Sequence, residues 1–195
     1  GAMTTELKAQ IRDSKADILR FFSEQESILP IEAADYYALS HAQQRIWMLA
    51  QIEQDGTLFN VPLAYVIEGE FDVARFKKSL ACLLERHEIL RTVFPLIEGE
   101  PKQRVASFSA EFLDAIFSER DVQDLSSPEI ENLLTKETRT IFDLEAGPMF
   151  KVLVAKESSE RQLLLVTLHN IVTDGWSVRL MMQELISHYQ IDQDD

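Results

Sequence analysis

Leu164-Leu165-Val166-Thr167-Leu168-His169-Asn170-Ile171-Val172-Thr173-Asp174-Gly175-Trp176-Ser177 is the stretch whose pattern decides the architecture. It opens as an unbroken apolar run of strand length, turns polar, and passes through Asp174-Gly175 into an amphipathic segment over residues 176–189. That order predicts a buried strand, a turn and a helix, and the ends of such strands are where α/β proteins often place their sites. On chemistry alone two readings stand. Either His169 is a core histidine tied to a backbone carbonyl and Asp174-Gly175 a plain turn, or these residues form a site.

Outward from this stretch, residues 149–155 form a second apolar strand, separated from 162–169 by the polar run 157–161. Ser127-Pro128-Glu129 is a helix start, because proline fits the first helical turn and serine caps it, and the pattern runs to about Phe142. Residues 92–97 and 102–106 read as strands joined by Glu98-Gly99-Glu100-Pro101. Asp72 caps a helix through Arg86 with Val73, Phe76, Leu80, Leu83 and Leu84 on one side. Residues 59–69 form a strand with Pro62 near its beginning or on an edge. Ser40 caps a helix over 42–54 whose packed face is Ile46, Trp47, Leu49 and Ala50. Leu7, Ile11, Ile18, Leu19 and Phe22 give an amphipathic helix over 4–24, followed by a linker to residue 37. The fold class is therefore α/β, or an α+β sandwich with a mixed sheet, and residues 1–3 read as a tag scar.

With 195 residues and 46% hydrophobic content, the chain can bury one substantial core. A net charge of −14 argues against nucleic acid as a partner, and no apolar run approaches a membrane span. Cys82, the single cysteine, excludes an intramolecular disulfide, reads as a buried structural thiol in an apolar run, and fits a cytoplasmic location. The four histidines are scattered, so no zinc site is expected.

Four segments carry a family resemblance. His169-Asn170-Ile171-Val172-Thr173-Asp174-Gly175 resembles the His-His-x-x-x-Asp-Gly signature of nonribosomal peptide synthetase condensation domains, with Asn170 at the second histidine. Ser40-His41-Ala42-Gln43-Gln44-Arg45-Ile46-Trp47 and Arg86-His87-Glu88-Ile89-Leu90-Arg91-Thr92-Val93-Phe94 are similar to two further motifs of that family. So is Phe142-Asp143-Leu144 with Gly147-Pro148-Met149. The order is right, and the resemblance spans residues 38–189.

The resemblance implies one lobe, residues 38–195, of a two-lobed fold similar to chloramphenicol acetyltransferase, with the C-terminal lobe absent and an exposed lobe face left behind. It implies amide formation between thioesters on the phosphopantetheine arms of peptidyl or acyl carrier proteins, with other synthetase modules as partners and no directly bound cofactor or metal. Asn170 then stands at the catalytic position, and His169 is an orienting residue. Asp174 is structural and paired with an arginine, and Gly175 permits close approach. His87, Glu88, Arg86 and Arg91 are read as structural, and Trp47 and Trp176 as core anchors. The alternatives are a non-catalytic docking module for carriers or synthetases, with residues 4–24 as a docking helix or a plain linker, and an epimerization relative. The cyclization signature, with aspartates for both histidines, does not match His169-Asn170.

Overall fold

The computed structural model describes residues 31–191 together with Arg12, Ser14 and Lys15. Apart from those three residues, the helix expected over 4–24 lies outside the described residues. The chain divides into two units, Gly1–Ala34 and Asp35–Asp195, and the second holds the described strands.

The central sheet has the order β2-β8-β7-β6, formed by β2 (Asn60–Glu68), β8 (Arg161–His169), β7 (Phe150–Lys156) and β6 (Phe117–Asp121). β8 pairs antiparallel with β2, from Asn60 opposite His169 to Glu68 opposite Arg161. It pairs likewise with β7, from Phe150 opposite Leu168 to Lys156 opposite Gln162. β6 runs parallel to β7, which requires a crossover, and α4 (Ser127–Thr138) supplies it. Leu164 to His169 are all buried, which is why this strand reads as a continuous apolar run rather than an alternating one. β2 is an edge strand, as Pro62 requires.

One face of the sheet is covered by α2 (Val73–Arg86) and α5 (Gly175–Ile191). Phe76, Leu80, Leu83 and Leu84 sit at helical spacing and meet Met181 and Leu185 over Val152, Val154, Leu164, Val166 and Leu168, forming the main core. A second core gathers Leu39, Phe94, Phe142, Leu144, Met149, Ile171 and Val172 beneath Ile46, Trp47 and Ala50 of α1 (His41–Ile52). A small sheet is built on β5 (Glu100–Val105), to which β1 (Tyr37–Ala38), β3 (Thr92–Val93) and β4 (Leu96–Ile97) each pair antiparallel.

The capping chemistry explains where elements begin. Ser40 and Gln43 form a reciprocal capping box, with Ser40 N–H donating to Gln43 Oε1 at 2.9 Å and Gln43 N–H to Ser40 Oγ at 3.2 Å. Asp72 accepts from the Arg75 amide at 2.9 Å, as expected. The cap of α4 is Ser126 rather than Ser127, because Glu129 Oε2 accepts from both the Ser126 amide and its hydroxyl. α4 ends at Thr138, short of the expected Phe142, because Phe142 turns into the second core. The β4–β5 turn is tighter than expected. Glu98 and Gly99 both have positive φ, 53° and 84°, and Glu100 and Pro101 are already paired with Ile97 and Leu96.

Other expectations are corrected. Cys82 is exposed, because the phase that turns Leu80, Leu83 and Leu84 inward turns position 82 out. Trp176 is 76% exposed and Leu49 47%, so neither is a core anchor. Trp47 is half-buried and donates Nε1–H to the Phe94 carbonyl at 3.3 Å. α3 (Ala110–Ile116) and β6 were not foreseen. No described helix is long and apolar enough to cross a membrane.

Candidate functional site

The strand-turn-helix at the end of β8 is held at three levels. Backbone bonds fix the strand end: His169 N–H donates to the Met149 carbonyl at 3.0 Å, and Asn170 N–H to that of Phe59 at 2.8 Å. Ile171 and Val172, 3% and 5% exposed, then sink into the second core and anchor the turn. Asp174 finally caps α5, its Oδ1 accepting from the Ser177 amide at 2.7 Å and the Ser177 hydroxyl at 2.6 Å. The apolar anchors leave Asn170 half-buried between them and the strand, with no side-chain hydrogen bond to any described residue.

His169 is buried, with Phe59 and Phe142 ring centroids 5.9 and 6.1 Å away. Burial lowers its pKa to about 4, since the imidazolium would lose its hydration. Its Nδ1 accepts the Ile171 N–H at 3.2 Å, which assigns the proton of the neutral ring to Nε2. His169 is thus a core histidine tied to a backbone N–H, not to the carbonyl that sequence suggested.

Asp174 is exposed, and the hydrogen bonds from Ser177 hold its carboxyl below the ordinary range. No described arginine lies within ion-pair distance of it, and among the described residues the cap is what holds it. Gly175 starts α5, and a Cβ there would meet nothing within 4 Å, so no close approach by a described residue requires the glycine.

The expected His87 and Glu88 group divides. His87 Nε2 lies 2.6 Å from Glu184 Oε2, with Arg86 Nε 3.8 Å from the same oxygen, so the end of α2 is clasped to α5. The hydrogen bond to His87 holds the Glu184 carboxyl below the ordinary range. Glu88 is exposed and approaches Arg91 only to 3.9 Å. Arg91 instead donates to the carbonyls of Leu84 and Ala106 at 3.0 and 2.6 Å. Sequence reasoning missed Glu184, although a carboxylate beside the buried Leu185 was a signal. It also missed Asn60, whose Nδ2 donates to the Thr138 and Thr140 carbonyls at 2.9 and 2.8 Å and so ties α4 beside His169. No group of three metal-ligating side chains occurs among the described residues.

The condensation-domain family matches residues 33–194. The chain is 36% identical to tyrocidine synthase 3 of Brevibacillus parabrevis over 187 residues, and 37% identical to gramicidin S synthase 2 of Aneurinibacillus migulanus over 164. These alignments cover 94% and 84% of this chain but only 3% and 4% of those proteins. In structure it is similar to the starter condensation domain of rhizomide synthetase, with a TM-score of 0.71 at 23% identity over 80% of this chain and 37% of that one. It is likewise similar to a four-domain nonribosomal peptide synthetase bound to AMP and glycine, with a TM-score of 0.70 at 16% identity over 86% of this chain and 13% of that one. At such identities these two likenesses establish the fold, and the family match establishes the lineage. The chain belongs to the condensation-domain family of the nonribosomal peptide synthetases.

Proposed function

We propose that residues 38–195 are the first lobe of a cytoplasmic condensation domain that forms an amide between a carrier-tethered acyl or peptidyl donor thioester and a carrier-tethered aminoacyl acceptor. The carrying observation is the turn itself. A buried strand ends at His169, two apolar anchors follow, and Asn170 is presented with its carboxamide free of described partners. The exposed apolar residues Met48, Leu49 and Ile52 on α1, with Trp176 at the start of α5, fit a face meant for a second lobe.

In this reading His169 does not exchange protons at neutral pH; it shapes the turn. Asn170 can orient an amine or steady an oxyanion by hydrogen bonding, but it cannot take up a proton. Loss of the base role lowers the rate by about 10²- to 10⁴-fold, whereas a positioning role survives in weakened form. The phosphopantetheine arms belong to partner carriers. This lobe by itself is inactive. Residues 4–37 serve as a docking segment or a linker to the preceding carrier.

Asn170 also favours a second reading, a docking lobe that performs no chemistry. The two are separated by placing the complete synthetase domain, with Asn170 and with Asn170→His, between loaded donor and acceptor carriers and following amide formation by mass spectrometry. Product with histidine alone marks an enzyme disabled at its base, and product with both makes Asn170 a positioner. Product with neither overturns the enzymatic reading.

A further inference from the structure

The face of the central sheet turned away from α2 and α5 holds a cleft of a different character. Side chains alternate along β7, so Val152 and Val154 enter the main core while Lys151, Leu153 and Ala155 point to the other face. Their register partners point the same way. On β8, Thr167 lies opposite Lys151 and Leu165 opposite Leu153. On β6, Ser118 lies opposite Leu153 and Arg120 opposite Ala155. Between this row, the end of α3 and Glu137 of α4 is an open cleft of about 210 Å³.

A buried and unsatisfied hydroxyl reaches it. Thr167 is 2% exposed and lines the cleft, yet its hydroxyl has no hydrogen-bond partner among the described residues. Nor is this oxygen sealed inside the protein, since the described side-chain polar atoms that are both sealed and unpartnered are Asn60 Oδ1 and Gln162 Oε1. Such a group is a donor whose hydrogen bond an entering acceptor can complete.

The charges around it define that acceptor. Lys151 and Arg120 both line the cleft, and neither is ion-paired with a described residue; Arg120 reaches only the Glu119 carbonyl, at 3.4 Å. In a chain of net charge −14, two unpaired cations on one small cleft run against the overall field and select an anion. Their spacing adds shape. Lys151 and Ala155, the partner of Arg120, are four residues apart on β7, roughly 13 Å along the strand. Leu153 and Leu165, 3% and 2% exposed, form the floor between the two cations. The pattern is cation, hydrocarbon, cation.

We propose that this cleft binds a linear α,ω-dicarboxylate of the adipate class. One carboxylate accepts from Lys151 Nζ–H and Thr167 Oγ1–H, the other accepts from the Arg120 guanidinium, and the methylenes lie on Leu153 and Leu165. The apolar floor and the Glu137 carboxylate disfavour a polyphosphate, whose charge is denser and whose middle is polar. Neither His169 nor Asn170 lines the cleft, so the site does not rest on the function proposed above.

The test titrates the isotope-labelled 195-residue chain with adipate, hexanoate and pyrophosphate at constant ionic strength, following the Lys151 and Thr167 amides by NMR. Adipate is expected to shift both signals with a dissociation constant of about 1 mM, a typical value for so small a ligand. Hexanoate, with the same length and one carboxylate, binds about threefold to fivefold more weakly, as does adipate to Arg120→Gln or Lys151→Gln. Thr167→Val removes the hydroxyl, keeps the shape of the side chain and weakens adipate about tenfold. Because the hydroxyl has no internal partner, the melting temperature of Thr167→Val is not lowered, which certifies its fold. Saturating adipate that moves neither signal overturns the proposal, as does a Thr167→Val variant that melts lower, since the hydroxyl would then be bonded within the fold. Equal binding of hexanoate overturns the two-ended site, and tighter binding of pyrophosphate overturns the ligand class.

Discussion

The two cores of this lobe do different work. Under α2 and α5 the buried apolar set is large and spreads over β7 and β8, and the one buried hydroxyl of α2, that of Ser79, bonds back to the Arg75 carbonyl within the helix. Under α1 the apolar set is smaller, His169 is packed against Phe59 and Phe142 at its border, and two members, Ile171 and Val172, belong to the turn that presents Asn170. The first core therefore sets stability, and the second sets the shape of the site. A polar group at the edge of a core is tolerated there because Ile171 N–H and a neutral ring satisfy each other.

The largest effect that would sharpen this contrast is in the first core. Leu83 is fully buried, and Leu83→Ala is expected to cost about 2–5 kcal/mol in a urea titration, for lost transfer energy and a residual cavity. Val172→Ala in the second core costs about 2 kcal/mol by the same reasoning, and unlike Leu83→Ala it also shifts the Asn170 and Asp174 amide signals. If both variants disturb those signals equally, the cores are not separate in function.

Acid tests the second core next. The unfolded chain binds a proton at an ordinary histidine near pH 6.5, and folded His169 does so only at about 4. Stability from this group is therefore complete above pH 6.5 and declines as pH falls toward 4, by about 2 kcal/mol between pH 7.5 and 5. His169→Gln removes that slope. A second loss, from the clasp between α2 and α5, lies lower. The depressed carboxyl of Glu184 contributes stability that is present above its ordinary value of 4.5 and is lost as pH falls through its folded value. Glu184→Gln abolishes this lower loss while leaving the upper one, and denaturation curves collected from pH 3 to 8 separate the two.

Smaller effects come from the loops. Gly147 has φ +71°, and an added Cβ would lie 2.6 Å from Val93 Cγ1, so Gly147→Ala costs about 1–3 kcal/mol by thermal melting. Asp174→Ala gives the smallest loss, because the cap is exposed, and Asp174→Asn restores most of it by offering the same acceptor. An Asp174→Asn variant as damaged as Asp174→Ala would point to a charge role that capping does not explain.

How much of this was legible depended on whether the signal was local. α2 could be read because Asp72 and a stripe at helical spacing lie within fifteen residues of each other, and β8 because both faces of it are covered. β6 was not, since Phe117-Ser118-Glu119-Arg120-Asp121 has one apolar residue and owes its strand to parallel pairing with β7. Cys82 and Trp176 misled because composition gives apolar content without helical phase. At the site, the order strand, turn and helix was visible, and so were His169 and Asn170. The His87–Glu184 clasp was not, because its partners are 97 residues apart. Nor was the capping role of Asp174, because an ion pair and a cap look alike in sequence.

The most direct measurement is the titration of the His169 ring by long-range nitrogen–proton NMR from pH 3.5 to 8. The neutral form with its proton on Nε2 is predicted to persist through pH 5 and to titrate near 4. A ring that titrates near 6.5, or that carries its proton on Nδ1, would contradict the claim that a buried, neutral histidine shapes the turn presenting Asn170.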